Sequence, residues 1–177
     1  EKKENALGRL LEFAGGHRKL TLLGCVLSGV SAVLTLLPFV CVWFVVRQAL
    51  EGINGEVDPQ ALAHWGFMAL WFALGGLAVY FAALMCTHLA AFRTARNMRV
   101  RAAERLVELP LGFFTVNQSG RLRKLIDDNA EMTESLLAHQ LPDLAGAIVT
   151  PVAAVALLFV FDWRMGLLCL LPMVVAV

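Results

Sequence analysis

The sequence predicts an all-α membrane protein, a polytopic bundle of transmembrane helices with long helical extensions on the cytoplasmic side. Three observations predict this fold class. The 177 residues are 59% hydrophobic and only 16% charged, against about 45–50% and about 25% in an ordinary soluble domain, and the mean hydropathy is +0.70. Charged residues are absent from long stretches of the chain. Apolar residues continue to recur at helical spacing beyond the ends of those stretches.

Three of the apolar stretches are long enough to cross a bilayer, because a transmembrane helix needs about 20 apolar residues. We expect span one at 20–46, span two within 59–109 and span three within 121–161. A fourth apolar stretch, 165–177, is too short to cross, so it is expected to be the start of a fourth span that is cut short.

Lysine and arginine are distributed unevenly between the two sides of the predicted spans. Residues 1–19 carry five and residues 93–135 carry eight, whereas 47–58 and 162–164 carry one each. Since cytoplasmic loops carry the excess of positive residues, we expect a multi-pass protein of a bacterial inner or plasma membrane with a cytoplasmic N-terminus. Residues 1–19 are either an amphipathic helix on the membrane surface or a frayed tail.

Residues 93–135 predict a helical hairpin that projects into the cytoplasm. Asp58 followed by Pro59 predicts a helix start, an N-cap carboxylate before a proline at the first helical position, and the next proline is Pro110. A helix of about 50 residues is about 75 Å long, so 93–109 would extend about 25 Å beyond the membrane. We expect the chain to turn at 110–120 and to return as a second helix.

The tip of the hairpin contains an aromatic pair, Phe113 and Phe114, beside a polar turn. Two interpretations are open. Either the rings pack against Leu109 and Leu122 and seal the hairpin, or at least one ring docks in a groove on a cytoplasmic partner.

The stretch 108–132 resembles the first intracellular loop of ABC exporters. The usual form of that loop has a proline, a Phe-Phe pair, a Ser/Thr-Gly step, a leucine two places later, and an Asn-Asp or Asp-Asp pair. These positions are occupied here by Pro110, Phe113, Phe114, Ser119, Gly120, Leu122, Asp127 and Asp128. The chain departs from the family's usual Ser-Arg step, where it has Arg123 and Lys124.

The resemblance implies that residues 1–177 are part of an exporter-type transmembrane domain, with 1–19 as an elbow helix, 110–120 as the coupling turn and 165–177 as the start of the fourth of six spans. It implies a nucleotide-binding domain, on the same full-length chain or on a separate subunit, and a second transporter half, identical or different. ATP and Mg²⁺ would bind that domain, and this chain itself would hold no cofactor. The residues expected to contact the nucleotide-binding domain are Phe113, Phe114, Thr115, Asn117, Gln118, Ser119 and Gly120.

The implied function is that of the membrane-spanning part of an ATP-driven transporter of unknown cargo, which transmits the motion of ATP binding and hydrolysis through the coupling turn. The alternative is a non-transporting membrane scaffold whose hairpin recruits a protein partner. No phosphate-binding loop and no nucleophile–base set occurs in the sequence, so we assign it no catalytic residue. Its net charge of +1 argues against a nucleic-acid partner. The complete protein is expected to be an ATPase-coupled translocase.

His139 and Asp143 stand four residues apart at the inner end of the third span. One pair offers too few ligands, so we assign no metal site. Asp143 is expected either to cap a helix or bond a neighbouring one, or to act in cargo passage or gating, since intramembrane carboxylates are usually functional. The stretch from His139 to Asp143 also resembles exporter-fold systems that handle iron chelates.

Overall fold

The structure is a computed structural model that describes residues 18–52, 58–116 and 119–175, and almost all of these residues are helical. The predicted all-α fold class is confirmed. The elements, in order, are α1 Arg18–Leu34, α2 Leu37–Glu51, α3 Pro59–Val107, α4 Leu111–Val116, α5 Ser119–Ser135, a π-helical turn Leu136–Gln140, α6 Leu141–Phe161 and α7 Trp163–Val175.

Three helical stretches are long and apolar enough to cross a membrane, judged by length and composition. They are Arg18–Glu51, Pro59–Val107 and Ser119–Phe161. Many of their large apolar side chains are exposed on this chain, and Phe39, Trp71 and Val160 are more than half exposed. Such surfaces suit contact with lipid or with other apolar helices, because they would be costly in water.

Helix α3 begins as the sequence predicts. The backbone N–H of Gln60 donates to Asp58 Oδ1 at 2.9 Å, so the predicted N-cap is confirmed. The helix then runs for 49 residues without a break, about 74 Å at 1.5 Å per residue. It ends at Val107 because Pro110 has no N–H to donate to Leu106 O. The N–H of Leu109 donates to Leu106 O at 3.2 Å instead.

The first span, expected at 20–46, is interrupted near Pro38. Helix α1 ends at Leu34 and α2 begins at Leu37, because Pro38 cannot donate to Leu34 O. In the gap, the Thr35 hydroxyl lies 2.9 Å from Ala32 O. Helix α2 continues to Glu51, where an Arg47–Glu51 ion pair of 2.9 Å joins successive turns. The predicted surface helix at 1–19 lies almost wholly outside the described residues.

The chain divides into two compact units, and the first comprises Glu1–Cys25 and Ala82–Asp143. Its buried positions are filled almost entirely by small side chains, which let helix backbones approach closely. Leu137 and Pro142 are the largest exceptions. The fully or nearly buried small residues of this unit are Thr21, Ala83, Thr87, Ala90, Ala91, Thr94, Ala95, Ala130, Thr133 and Ala138.

The second unit comprises Val26–Phe81 and Leu144–Val177. A buried hydrogen bond joins α1 to α3, from Ser31 Oγ to Gly76 O at 3.0 Å. Aromatic rings pack near the ends of α2, α3 and α6. Phe44 stacks on Trp65 with ring centroids 4.3 Å apart, and Trp43 lies 4.8 Å from Phe161.

Among the glycines described in the first unit, Gly24 is the one where a larger side chain is least tolerated. A methyl group on Gly24 would overlap Thr87 Cγ2 and lie 3.2 Å from Ala83 O. We expect Gly24→Ala to destabilise the full-length protein by about 1–3 kcal/mol, the usual cost of overpacking. Thermal unfolding in detergent would measure this loss. Gly75→Ala is the matched control, because its methyl would meet nothing within 4 Å. Equal melting temperatures for both variants would contradict the prediction.

Candidate functional site

The tip of the hairpin is a short helix where the sequence predicts a turn at 110–120. Pro110 ends the preceding segment, and its carbonyl accepts a hydrogen bond from Phe113 N–H at 2.9 Å. Helix α4 then spans Leu111–Val116. Proline favours the first positions of a helix, because its fixed φ fits and its missing N–H has no helical partner there. The predicted aromatic pair is therefore presented on a helical turn.

Phe113 and Phe114 are both half-buried within this chain. Their rings meet edge to face, with centroids 5.5 Å apart. Phe114 also lines a groove of about 290 Å³ between the two arms, together with Leu106, Leu122 and Ile126. Leu122 is one of the two contacts expected if the rings seal the hairpin. The groove is open, so this placement leaves room for a partner group beside the ring.

Leu111 and Val107 are the apolar residues that the sequence analysis passed over. Each is 86% exposed, more than any other large hydrophobic side chain in the described chain. Branched aliphatic side chains this exposed beside the aromatic pair favour a contact surface at the tip of the hairpin. The signal was present in the spacing, because Leu111 and Phe114 are three residues apart and therefore neighbours on a helix.

The structure describes some of the polar residues of the predicted site and not others. Ser119 and Gly120 begin α5 and are exposed, and a Cβ on Gly120 would meet nothing within 4 Å. Asn117 and Gln118 lie outside the described residues. The backbone of Thr115 belongs to α4, and its side chain lies outside the description.

Charged residues join the two arms of the hairpin above its tip. Arg99 Nε of α3 lies 3.3 Å from Asp127 Oδ1 of α5, with side chains 41% and 49% exposed. Arg123 Nε lies 3.7 Å from Asp127 Oδ2, one turn away on the same helix. Exposed pairs of this kind contribute about 0.2–1 kcal/mol. They set the register of the arms but add little to their stability.

The structure places His139 and Asp143 on consecutive turns of one helical stretch. His139 lies in the π-helical turn, and its ring meets that of His88 on α3, with centroids 4.8 Å apart. Asp143 is exposed in the first turn of α6. Among the residues that the structure describes, no group of three His, Cys, Asp or Glu side chains is placed to hold a metal ion.

The chain is similar to known membrane proteins along almost its whole length. The family model for the ABC transporter transmembrane region matches residues 22–177. The mycobactin import ATP-binding/permease protein IrtA of Mycolicibacterium smegmatis is 31% identical over 176 residues, covering 98% of this chain and 19% of the relative. Its Mycobacterium tuberculosis counterpart is 35% identical over 154 residues, covering 85% of this chain and 18% of the relative.

A eukaryotic relative is similar over the same region. ABC transporter B family member 2 of Dictyostelium discoideum is 28% identical over 181 residues, covering 96% of this chain and 12% of the relative. The chain thus spans less than a fifth of the length of the relatives it matches. With a family model that covers most of its residues and three helices able to cross a bilayer, this integral membrane chain belongs to the ABC transporter transmembrane region family.

Proposed function

We propose that this chain is the membrane-spanning part of an ATP-driven ABC transporter, where it forms part of the cargo pathway and receives motion from a nucleotide-binding domain. That domain, on the same full-length chain or on a separate subunit, holds ATP and Mg²⁺. A second transporter half completes the pathway. Membership of the family supports the class of protein, and the relatives' own names, ATP-binding/permease proteins, support the ATP-binding partner.

The observation that carries the proposal is the continuity of α3. Its first 34 residues, 59–92, contain no Asp, Glu, Lys or Arg, and its last 15 contain five arginines. One helix therefore extends from the apolar part of the chain to the charged hairpin without a joint. A continuous helix moves as a rigid element, which is what coupling of a cytoplasmic event to a membrane pathway requires.

The hairpin tip, 110–120, is the proposed contact with the nucleotide-binding domain. Phe113, Phe114, Ser119 and Gly120 supply an apolar centre with a polar edge, the usual arrangement of a protein interface. Thr115, Asn117 and Gln118 are proposed as further contact residues. The exposed side chain of Leu111 adds to the apolar centre. The segments 20–46, 59–109, 121–161 and 165–177 are the spans and arms that this contact moves, and 1–19 is the elbow helix.

Asp143 and His139 are the proposed pathway or gating residues. Both side chains are exposed on this chain near the start of α6, and ionisable groups near a bilayer are costly unless they serve a function. The cargo to test first is mycobactin. Three relatives named for mycobactin import are 31%, 35% and 33% identical to this chain.

The proposed orientation is tested by the accessibility of single cysteines in a variant of the full-length protein whose native cysteines are all replaced by alanine. Gln60→Cys, at the start of α3, should react with a membrane-impermeant maleimide in intact bacterial cells. Lys124→Cys, on α5, should react only after permeabilisation, because positive loops stay in the cytoplasm. Labelling of Lys124→Cys in intact cells would show that the orientation is the reverse of the one proposed.

The proposed coupling contact is tested by alanine variants of the tip in the full-length transporter. Burying a Phe or Leu side chain stabilises a contact by about 1.5–3 kcal/mol, so Phe113→Ala, Phe114→Ala or Leu111→Ala should weaken docking about tenfold or more. Basal ATP hydrolysis should largely remain, while cargo-stimulated hydrolysis and transport into proteoliposomes should fall. Phe114→Ala is expected to have the larger effect of the two Phe variants.

Arg96→Ala is the control for these variants, because Arg96 is exposed on an arm and away from the tip. It should change stimulation little. Normal transport and normal stimulation in both Phe variants would mean that the rings only seal the hairpin. If the full-length protein neither hydrolyses ATP nor transports but its hairpin captures a cytoplasmic protein, the scaffold alternative is correct.

A further inference from the structure

Pro142 leaves a backbone carbonyl without its helical donor in the most tightly packed part of the first unit. In an α-helix each N–H bonds the carbonyl four residues earlier, and proline has no N–H. Ala138 O is therefore the group that loses a partner. Ala138 is 2% exposed and Pro142 is buried, so water does not supply a replacement at this position.

The backbone widens before Pro142 into the π-helical turn Leu136–Gln140, where Leu141 N–H bonds Leu136 O, five residues earlier. That bond does not reach Ala138 O. A donor for Ala138 O comes from another helix. Thr87 Oγ1 of α3 lies 3.2 Å from Ala138 O and donates to it.

The Thr87 hydroxyl has a choice of two acceptors, and the chemistry favours one of them. It also lies 3.1 Å from Leu84 O of its own helix. Leu84 O lies inside an unbroken helix, so it has the N–H of His88 as its regular partner. Ala138 O has no N–H from Pro142. The single hydroxyl hydrogen therefore stabilises the structure most when it is donated to Ala138 O.

Thr87 is packed among neighbouring residues of the first unit. It is fully buried, its methyl group packs against Gly24 of α1, and its neighbour His88 meets His139 of the π-helical turn. The other cross-arm contact, Arg99–Asp127, is partly exposed and lies 12 residues along α3, about 18 Å away. The Thr87 bond is the buried one of the two.

We propose that Thr87 is a positioning residue that ties the base of the returning arm to α3, so that the hairpin moves as one body. The inference rests on the proposed coupling function. Without the hydroxyl, Ala138 O is buried and unsatisfied, the π-helical turn opens more readily, and displacement of the tip is absorbed at the turn. The tie acts through Ala138 O and touches neither cargo nor nucleotide.

The test compares variants of the full-length transporter by hydrogen–deuterium exchange of the segment 136–143 and by the ratio of cargo-stimulated to basal ATP hydrolysis. Thr87→Val keeps the shape and removes the hydroxyl, whereas Thr87→Ser keeps the hydroxyl. Thr87→Val should lower protection of 136–143 about tenfold and reduce the stimulation ratio, and Thr87→Ser should restore most of both. Thr94→Val is the matched control, because Thr94 is equally buried and bonds only Ala90 O of its own helix at 2.8 Å.

The Thr87→Val substitution made in a Pro142→Ala variant separates the loss of the hydrogen bond from a general loss of stability. Pro142→Ala returns an N–H to position 142, which can bond Ala138 O. Thr87→Val should then have little further effect on exchange or stimulation.

Three results would overturn the proposal. The first is that Thr87→Val and Thr94→Val change the exchange of 136–143 and the stimulation ratio equally. The second is that Thr87→Val has an undiminished effect in the Pro142→Ala background. The third is that Thr87→Val speeds the exchange of 136–143 but leaves the stimulation ratio unchanged. Absence of nucleotide hydrolysis in the unaltered transporter would instead refute the proposed function. The exchange comparison would then decide by itself whether the tie exists.

Discussion

The constraint on which the rest of the structure depends is that a backbone carbonyl inside a membrane has no water to bond. Pro151 lies inside α6 without interrupting it, whereas the α-helix is interrupted near Pro38 and before Pro142. At Pro38 the helix stops and restarts. At Pro142 the helix widens into a π-helical turn, and Thr87 of another helix donates its hydroxyl hydrogen to Ala138 O. A hydroxyl side chain thus supplies at Pro142 the donor that proline lacks.

Such repairs demand that helices approach closely, and close approach selects small residues. A hydroxyl reaches a carbonyl on another helix only when the backbones are near, so alanine, glycine, serine and threonine line the contacts. Ser31 bonding to Gly76 O in the second unit is the same device as Thr87 bonding to Ala138 O in the first. Large apolar side chains are displaced outward, where Phe39 and Trp71 are about 70% exposed. The same division of residues builds each unit and leaves an apolar surface for lipid or further helices.

The sequence predicted the features that depend on local composition. The apolar stretches of the first three expected spans fall within the three helical stretches that are long and apolar enough to cross a membrane. Asp58 before Pro59 predicted the start of α3, because a capping signal acts within a few residues. The sequence did not predict the π-helical turn or the partner of Ala138 O, since that partner is 51 residues away in the chain. Nor did it single out Leu111, whose exposure depends on how α4 folds after Pro110. Proline marked where a carbonyl would be freed, but packing decided which side chain would reach it.

The strength of the ties changes along the hairpin, and this difference shapes how the hairpin works. At the base the contact is buried and made by uncharged groups, so solvent and salt do not weaken it. Further out, the Arg99–Asp127 pair is partly exposed and therefore screened. At the tip a six-residue helix carries Phe113 and Phe114, each only half-buried. A short helix has little stability of its own. For the proposed coupling function this means that the tip adjusts to the surface of the nucleotide-binding domain, while the buried contact at the base keeps the two arms in register. A hairpin that couples two domains needs both properties, a flexible contact at one end and a stiff connection at the other.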